Sequence, residues 1–380
     1  MMQAVTQMST PSALGDVKIL DFSRVLAGPF ATMMLADLGA TVTKVERPGT
    51  GDETRSWGPP YDAAGEATYF QSVNRNKRSV VLDLSTDPDR HRALALARAS
   101  DVVLENFRPG VMERLGLGYE QLCSEDPSLI YCSITGFGSG SGAQLPGYDL
   151  LIQALGGLMS ITGPADGEPQ KVGVALVDVL AGLFATVGIL AALRHRDATG
   201  EGQRVDVDLF SALLAALVNQ GSAFTIAGAV PGRLGNSHPS IAPYELLATR
   251  EGELVVAVGN DRQFAALCEV LGLGALAADG RYAHNSDRVA NRAQLRADLE
   301  ARLSDRPAAD WARELTAVRV PAGVVNDVGA AFGLAQSLGL EPIVSLAKDD
   351  GGTVSLTRNP IRLSRTPPTY RSAPPSLPQR

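Results

Sequence analysis

Short apolar runs alternate with longer amphipathic segments through the first third of the chain. Five runs rich in Val, Ile and Leu predict β-strands, at 17–22, 41–46, 79–84, 101–105 and 129–134. Three segments between them predict helices, at 29–39, 89–99 and 111–123. Strands that alternate with helices indicate an α/β fold, with a largely parallel sheet and helices on both of its faces.

The carboxyl ends of these predicted strands are followed by loops that carry polar residues and glycine, at 22–28, 46–52, 105–110 and 135–142. Ligands of parallel sheets bind at this edge. Two further loops, at 136–147 and 163–173, are rich in Gly with Ser or Pro and are candidates to face a ligand.

The pattern changes after a cluster of turn residues at 198–202. Beyond it we predict a strand at 203–208, an apolar helix to about Asn219, a loop at 228–243, a strand at 253–258 and a helix at 261–271. This division predicts a large domain over 1–200, a small α/β domain over 225–325, and linkers at 201–224 and 326–334. The tail from Thr366, rich in Pro, Ser and Arg, predicts an extended or mobile segment.

Composition narrows the class of protein. Hydrophobic residues make up 45% of the 380 positions and charged residues 20%, which is typical of a folded core. A net charge of −7 argues against a nucleic-acid partner, because few cations are free to neutralise phosphates. Three widely spaced cysteines predict a reducing, cytoplasmic setting, and the first 15 residues predict a polar leader rather than a signal peptide.

One stretch, 172–193, is long and apolar enough to resemble a membrane span. Asp178 interrupts it, and a charge inside a bilayer is costly, so we interpret the stretch as a buried passage from strand to helix. No contact with a membrane is predicted.

Motifs for common cofactors are missing at the places where they are expected. Glu46 ends the second strand where a ribose-binding acid would stand, but the turn at 23–29 lacks G-x-G-x-x-G. The four histidines have no ligand spacing, so no metal site is predicted. His238, within Gly-Asn-Ser-His-Pro, remains a candidate for lining a site.

Asp178 is the most unusual polar residue, since apolar residues flank it on both sides. A charge in such a place costs several kcal/mol unless donors receive it. One interpretation is a helix N-cap. The other is a nucleophile kept ionised by a helix N-terminus, and the two are compatible.

Five ordered motifs then connect the chain with a known family: LDFSRVLAGP at 20–29, LGATVTKVER at 38–47, NKRS at 76–79, VLENFRPG at 103–110 and LVDVLAG at 176–182. With them the chain resembles the class III CoA-transferases, a group that includes formyl-CoA and carnitine CoA-transferases and has α-methylacyl-CoA racemases as relatives. The resemblance implies interlocked homodimers, each subunit with a large Rossmann-like domain completed by residues 335–380. It also implies no cofactor beyond coenzyme A, which is the carried group.

Position by position, the resemblance implies that Asp178 is the catalytic nucleophile. The implied CoA-binding residues are Val25, Ala27, Arg47, Leu82, Asn106, Phe107 and Arg114. A basic residue frequent in the family is Ser85 here, so phosphate binding is expected to use Lys77, Arg78 or another group. Leu26, Tyr148, Asp149 and His238 are candidate substrate-site residues.

Transferases and racemases share this scaffold, and a racemase would carry a histidine directly before Asp149. The chain has Tyr148 there, so the second base of a racemase is missing and transfer between an acyl-CoA and a carboxylic acid is favoured. Succinyl-CoA is the first donor to consider. A racemase-like isomerase and a non-catalytic CoA-binding protein remain the alternatives.

Overall fold

The computed structural model describes residues 12–349 and 351–378, so most of the predicted N-terminal leader lies outside the described residues. Two compact units are present. The first contains the described residues up to Leu158, residues 171–229 and those from Glu341 onward. The second contains residues 159–170 and 230–340.

A six-stranded, fully parallel sheet forms the centre of the first unit, which confirms the predicted α/β fold. Its strands are β1 Lys18–Asp21, β2 Thr41–Glu46, β3 Lys77–Val81, β4 Val102–Glu105, β5 Ile130–Thr135 and β6 Arg204–Asp208. The spatial order is β3-β2-β1-β4-β5-β6. Strand order reverses between β1 and β4, the point at which such sheets open a ligand crevice.

The helices between these strands are α1 Ala27–Asp37, α2 Thr68–Ser72, α3 Asp87–Arg98, α4 Val111–Arg114, α5 Tyr119–Glu125, α6 Asp149–Leu155, α7 Leu158–Ile161 and α8 Leu176–Thr199. After β6 follow α9 Leu209–Ala216 and α10 Val218–Ala227. Residues 159–161 of α7 belong to the second unit. The single helix predicted over 111–123 is wrong, because Gly116 has a φ of +75° and separates α4 from α5. The long helix predicted to Asn219 is wrong too: the chain bends by 83° between α9 and α10, where Val218 has a φ of +41°.

Residues 201–224, predicted as a linker, belong to the sheet unit. They contain β6, which pairs with β5 from Tyr131 to Thr135, and α9, whose Leu209 and Leu213 are buried in the main core. An apolar strand and helix of this kind stabilise the sheet rather than connect domains.

Helix α8 accounts for the apolar stretch that resembles a membrane span. Its length and composition would allow a crossing, and it begins directly from a loop, so the strand predicted before it is absent. Val177, Ala181, Ala185 and Ile189 recur every four residues and are fully buried in the core with α1. The packing is that of a core helix.

The second unit has a small antiparallel sheet in the order β7-β8-β9. Its elements are β7 Tyr244–Ala248, β8 Glu253–Ala257, α11 Asp261–Val270, α12 Gly274–Ala277, α13 Asn285–Ala290, α14 Arg292–Leu303, α15 Ala308–Ala317, β9 Ala322–Val324 and α16 Val328–Ser337. Trp311 is buried at its core and donates its indole N–H to the carbonyl of Leu303. Helix α16 occupies positions 328–334 of the segment that was predicted as a linker at 326–334, so most of that segment is helical.

The chain then returns to the first unit as a hairpin, β10 Ile343–Ala347 and β11 Thr353–Thr357, and an irregular tail. The described residues of the tail form neither helix nor strand, and hydrogen bonds attach them to helix α1. Thr369 donates its N–H to the carbonyl of Asp37, and the Arg371 guanidinium donates to the carbonyls of Ala36, Gly39 and Ala40. These hydrogen bonds anchor the tail to the end of α1, and its extended or mobile character stays a prediction.

Candidate functional site

A pocket opens at the carboxyl edge of the sheet, and we call it the Asp178 pocket. It is lined by residues of the loops 106–109 and 134–147, and by Ala27, Asp178 and Leu209. Gly136 and Gly147 lie so close that a Cβ on either would fall 2.5 Å from the Cα of the other. Only glycines allow the two arms of the 134–147 loop to meet there, which shapes the wall of the pocket.

Asp178 lies in the first turn of α8, two residues after its start at Leu176, and the N-cap position is Ala175. The N-cap interpretation is therefore wrong. The N–H groups of Val177 and Asp178 instead donate to the Asp149 carboxylate, at 2.8 and 3.4 Å. Among the described residues, none donates a hydrogen bond to the carboxylate of Asp178.

This arrangement changes the acidity of the candidate nucleophile. Burial, and after it the negative charge of Asp149, raise the pKa of Asp178 to about 7. We expected the helix N-terminus to keep the Asp178 carboxylate ionised. It does not, because Asp149 occupies the N–H groups that would stabilise the charge. Carboxyl groups with a pKa near neutrality are frequent at catalytic centres.

A short chain of hydrogen bonds, here called the relay, fixes the position of Asp149. One of its oxygens accepts a hydrogen bond from Gln153 Nε2 at 2.6 Å, and Gln153 Oε1 accepts one from the N–H of Val172 at 2.9 Å. The relay joins the start of α6 to the loop before α8. Tyr148, directly before Asp149, is 69% exposed.

A second pocket adjoins the first, and we call it the β2 pocket. It is lined by Phe22, Arg24, Gly51, Asp52, Phe107, Leu115 and residues of the segments 44–47 and 82–84. Phe107 lines both pockets, so one aromatic side chain separates the space over β2 from the space beside Asp178. An elongated ligand that crosses Phe107 would reach from one pocket to the other.

Three of the predicted CoA-binding residues line these pockets: Asn106 the Asp178 pocket, Leu82 the β2 pocket, and Phe107 both. Asn106 Oδ1 accepts the N–H of Arg24 at 2.9 Å and Asn106 Nδ2 donates to the carbonyl of Arg24 at 2.8 Å, which ties the loops after β1 and β4 together. The Arg24 guanidinium stacks on the Phe107 ring at 4.7 Å. Leu82 is buried in the wall of the β2 pocket.

The loop at 23–27 brings the other predicted residues to the same place. Ala27 begins α1 and lines the Asp178 pocket. Leu26 is buried in a small apolar cluster with Ala175 and Val179, the residues on either side of the Asp178 turn. Val25 has a φ of +69°, a left-handed conformation that is rare for a β-branched residue.

The predicted basic residues have different surroundings. Arg47 lines the β2 pocket with its side chain about half exposed, whereas Arg114 is exposed and lines neither pocket. Lys77 is fully buried, 3.2 Å from Asp21, so the expected phosphate contact of Lys77 is wrong. Arg78 is exposed, and Ser85 donates its hydroxyl to Asp83.

Two further candidate residues, Glu46 and His238, have defined contacts in the structure. Glu46 accepts hydrogen bonds from Arg55 Nε and Nη2 at 2.7 and 2.8 Å and from Ser79 Oγ at 2.6 Å, so it does not present a free carboxylate for a ribose. His238 belongs to the second unit, where its ring lies 5.2 Å from that of Tyr244 and Nδ1 accepts the N–H of Ser240.

Sequence reasoning missed Glu105 at the end of β4. It is buried, accepts the N–H of Phe107 at 2.8 Å, and burial raises its pKa to about 7. The only signal in the sequence was an acid at the end of an apolar strand, next to the residues that line the pockets.

Comparison with known proteins identifies this architecture. The model of the family described as CoA-transferase family III matches residues 14–380. The chain belongs to CoA-transferase family III. Its resemblance to this family, inferred from five motifs, is thereby confirmed.

Relatives in the family are similar over nearly the whole chain. The succinate–glutarate CoA-transferase of Agrobacterium fabrum is 44% identical over 96% of this chain and 92% of its own. The succinyl-CoA:glutarate CoA-transferase of Mus musculus is 42% identical over 96% of this chain and 84% of its own. A crystal structure of a CaiB/BaiF family protein from Brucella suis matches with a TM-score of 0.86 and 44% identity, over 96% of both chains.

Proposed function

We propose that this family III protein transfers CoA from succinyl-CoA to a dicarboxylic acid of the glutarate class, with Asp178 as the covalent carrier. The observation that supports this most is the position of Asp178: a carboxylate without a hydrogen-bond donor among the described residues, at a helix start, in a pocket that adjoins the β2 pocket. The names of two relatives, a succinate–glutarate CoA-transferase and a succinyl-CoA:glutarate CoA-transferase, support the choice of donor and acceptor.

The proposed reaction proceeds in four exchanges at carbonyl carbons. The Asp178 carboxylate attacks the thioester carbonyl of succinyl-CoA, and the C–S bond breaks to release CoA thiolate and leave a mixed anhydride. The thiolate attacks the aspartyl carbonyl and releases succinate, which leaves an aspartyl–CoA thioester. The acceptor carboxylate displaces the thiolate from this thioester to form a second anhydride. The thiolate then attacks the acceptor's carbonyl, which gives the new acyl-CoA and frees Asp178.

In this proposal, the two pockets hold different parts of the acyl-CoA substrate. The β2 pocket offers the apolar side chains Leu82 and Phe107 for an adenine ring, and the guanidinium of Arg47 for a phosphate. The thiol end would cross Phe107 and enter the Asp178 pocket. The backbone N–H groups of the Gly-rich loop at 134–147 are the candidates to stabilise each oxyanion. No metal or redox cofactor takes part in the proposed steps.

A homodimer in the cytoplasm remains part of the proposal. Phe184 and Val187 on helix α8 are 44% and 64% exposed, an apolar surface of the kind that subunit interfaces cover. Light scattering of the purified protein measures the mass of the assembly.

The decisive experiment traps the carrier. The protein is incubated with succinyl-CoA, treated with borohydride, and analysed by intact-protein and peptide mass spectrometry. We expect a CoA adduct on the peptide that contains Asp178 and, after reduction, an alcohol in place of its carboxyl group. Asp178→Asn should fold and give neither product.

The matched control is Asp16→Asn, which removes an exposed carboxylate that precedes β1, at the opposite edge of the sheet. It should give both products at the normal rate. Tight CoA binding without an adduct on Asp178 from any acyl-CoA tested would favour the non-catalytic CoA-binding alternative. Solvent deuterium entering the α-position of a branched acyl-CoA without an acceptor acid would favour the racemase-like alternative.

A further inference from the structure

A buried ammonium joins the two loops that form the β2 pocket. Lys44, on strand β2, donates from Nζ to the carbonyl of Ser23 at 2.7 Å and lies 2.9 Å from the Asp52 carboxylate. The side chains of Lys44 and Asp52 are 0% and 1% exposed. Ser23 belongs to the loop after β1 and Asp52 to the loop after β2, so a single cation holds both loops.

Asp52 also binds the backbone of both loops. Its carboxylate accepts the N–H of Val25 at 3.3 and 3.4 Å, and the N–H and hydroxyl of Thr54 at 3.0 and 2.8 Å. At the surface, an Arg24–Glu53 ion pair at 2.9 Å joins the same two loops. The buried carboxylate thus holds the β1 loop at Val25.

Val25 is the strained residue of that loop. Its φ of +69° places a β-branched side chain in the left-handed region, which persists only where the surroundings enforce it. Leu26 and Ala27 follow directly, and α1 starts in the Asp178 pocket. The conformation of Val25 therefore sets how the loop over the β2 pocket connects to the wall of the Asp178 pocket.

Direct contact of Lys44 with a ligand phosphate does not fit these surroundings. Its side chain has no exposed surface, and its ammonium is already used by Ser23 and Asp52. Burial lowers the pKa of Lys44, but the charges of Asp52, Asp21 and Glu46 outweigh burial and raise the pKa above its ordinary value. The cation stays charged and acts within the protein.

We propose that Lys44 and Asp52 are positioning residues which hold Val25 in its left-handed conformation and thereby preform the loop that receives the CoA moiety. The inference rests on the proposed function of this loop in binding acyl-CoA. It assigns a role to the Lys44 of the 38–47 motif, a residue with no substrate contact.

Glycine offers a direct test, because it adopts positive φ without strain. The charge-free variant Lys44→Met/Asp52→Leu removes the ion pair without leaving an unpaired buried charge. Coenzyme A affinity of the full chain is measured by titration calorimetry, with and without Val25→Gly. We expect removal of the ion pair to weaken CoA binding about tenfold when residue 25 is valine, and by less than about threefold when residue 25 is already glycine.

Val25 is itself an expected CoA-binding residue, so Val25→Gly with the ion pair intact serves as the reference for the glycine series, whatever its own affinity. If Lys44→Met/Asp52→Leu does not fold by circular dichroism, Asp52→Asn with and without Val25→Gly gives the same comparison. Removal of the ion pair lowering affinity equally with valine and with glycine at position 25, or leaving it unchanged with valine, would overturn the inference. If wild-type protein fails to bind CoA at all, the proposed function fails instead.

Discussion

At the scale of single residues, two carboxylates lie at the start of helix α8, and they have different surroundings. Asp149 accepts the N–H groups of Val177 and Asp178, and the Asp178 carboxylate, in the same first turn, has no donor from the described residues. A carboxylate that is poorly stabilised is a better nucleophile once ionised, but it is ionised over a narrower pH range. The geometry thus links nucleophilicity to pH.

Substituting Asp149 should shift this range. Asp149→Asn keeps an oxygen that accepts the N–H of Val177 and removes the negative charge that helps to raise the pKa of Asp178. We expect kcat/KM to rise with pH through about 7 in wild type, and its acid limb to lie at lower pH in the variant. The profile is measured from pH 5 to 9, and Asp16→Asn serves as the charge-matched control. An unmoved acid limb in Asp149→Asn would contradict the assignment.

The same carboxyl group should affect stability. A raised pKa means that the folded state binds the proton more tightly, so stability falls as pH rises from about 4 to about 7 and stays reduced above. Asp178→Asn removes this cost. We expect the variant to unfold with a free energy about 1–3 kcal/mol higher than wild type at pH 8, and with none of this gain at pH 3. Urea unfolding at both pH values measures the difference, and an equal gain at both would contradict it.

At the scale of secondary structure elements, helices α1 and α8 carry the two sides of the Asp178 pocket. Their contact depends on Gly182, where a Cβ would fall 2.6 Å from the carbonyl oxygen of Ala27. A backbone carbonyl moves aside less easily than the end of a flexible side chain. The two helices therefore stay this close only with glycine at position 182. Ala27 and Asp178 are thereby kept on the same pocket.

Gly182→Ala should push these helices apart. We expect kcat to fall at least tenfold and the free energy of unfolding to fall by about 1–3 kcal/mol. The control is Gly188→Ala in the same helix, where the new Cβ meets a side-chain methyl of Val205 on β6. This variant should lose stability but keep kcat within about twofold. Equal loss of kcat in both would show that destabilisation alone explains the effect.

The elements were predictable where one local pattern decided them. Strand β2 was predicted with the bounds observed, Thr41–Glu46, because its apolar and β-branched residues are bounded by Gly39 and Pro48. The breaks at Gly116 and Val218 were missed, since the flanking residues continue a helical pattern across both. Asp178 was found as the candidate nucleophile, but the nearness of Asp149, 29 residues before it, depends on tertiary packing.

At the scale of the whole molecule, the first unit is completed by segments far apart in sequence. Asp37, at the end of α1, receives Arg75 at 2.6 and 2.9 Å and Asn359 Nδ2 at 3.2 Å. Arg371 binds three carbonyls around the same helix end, which places a cation where the helix dipole is negative. Local sequence patterns contain no signal for such pairings; only the family resemblance implied them.

Arg371→Ala should therefore destabilise the first unit. Its loss leaves the carbonyls of Ala36, Gly39 and Ala40 without this donor, and we expect the free energy of unfolding to fall by about 1–3 kcal/mol. Arg365→Ala, in an exposed position of the same tail, should change it by less than about 0.5 kcal/mol. Similar losses of unfolding free energy in the two variants would mean that the positive charge of the tail stabilises the unit, and not the hydrogen bonds of Arg371.

The return of the chain to helix α1 has a consequence during synthesis. The ribosome completes β6 at Asp208 and then makes residues 230–340 of the second unit before Glu341 and the anchoring tail emerge. At about 5–20 residues per second, this interval is on the order of ten seconds. Throughout it the sheet is present without Asn359 and Arg371, so the end of α1 is exposed to chaperones and proteases until the tail docks.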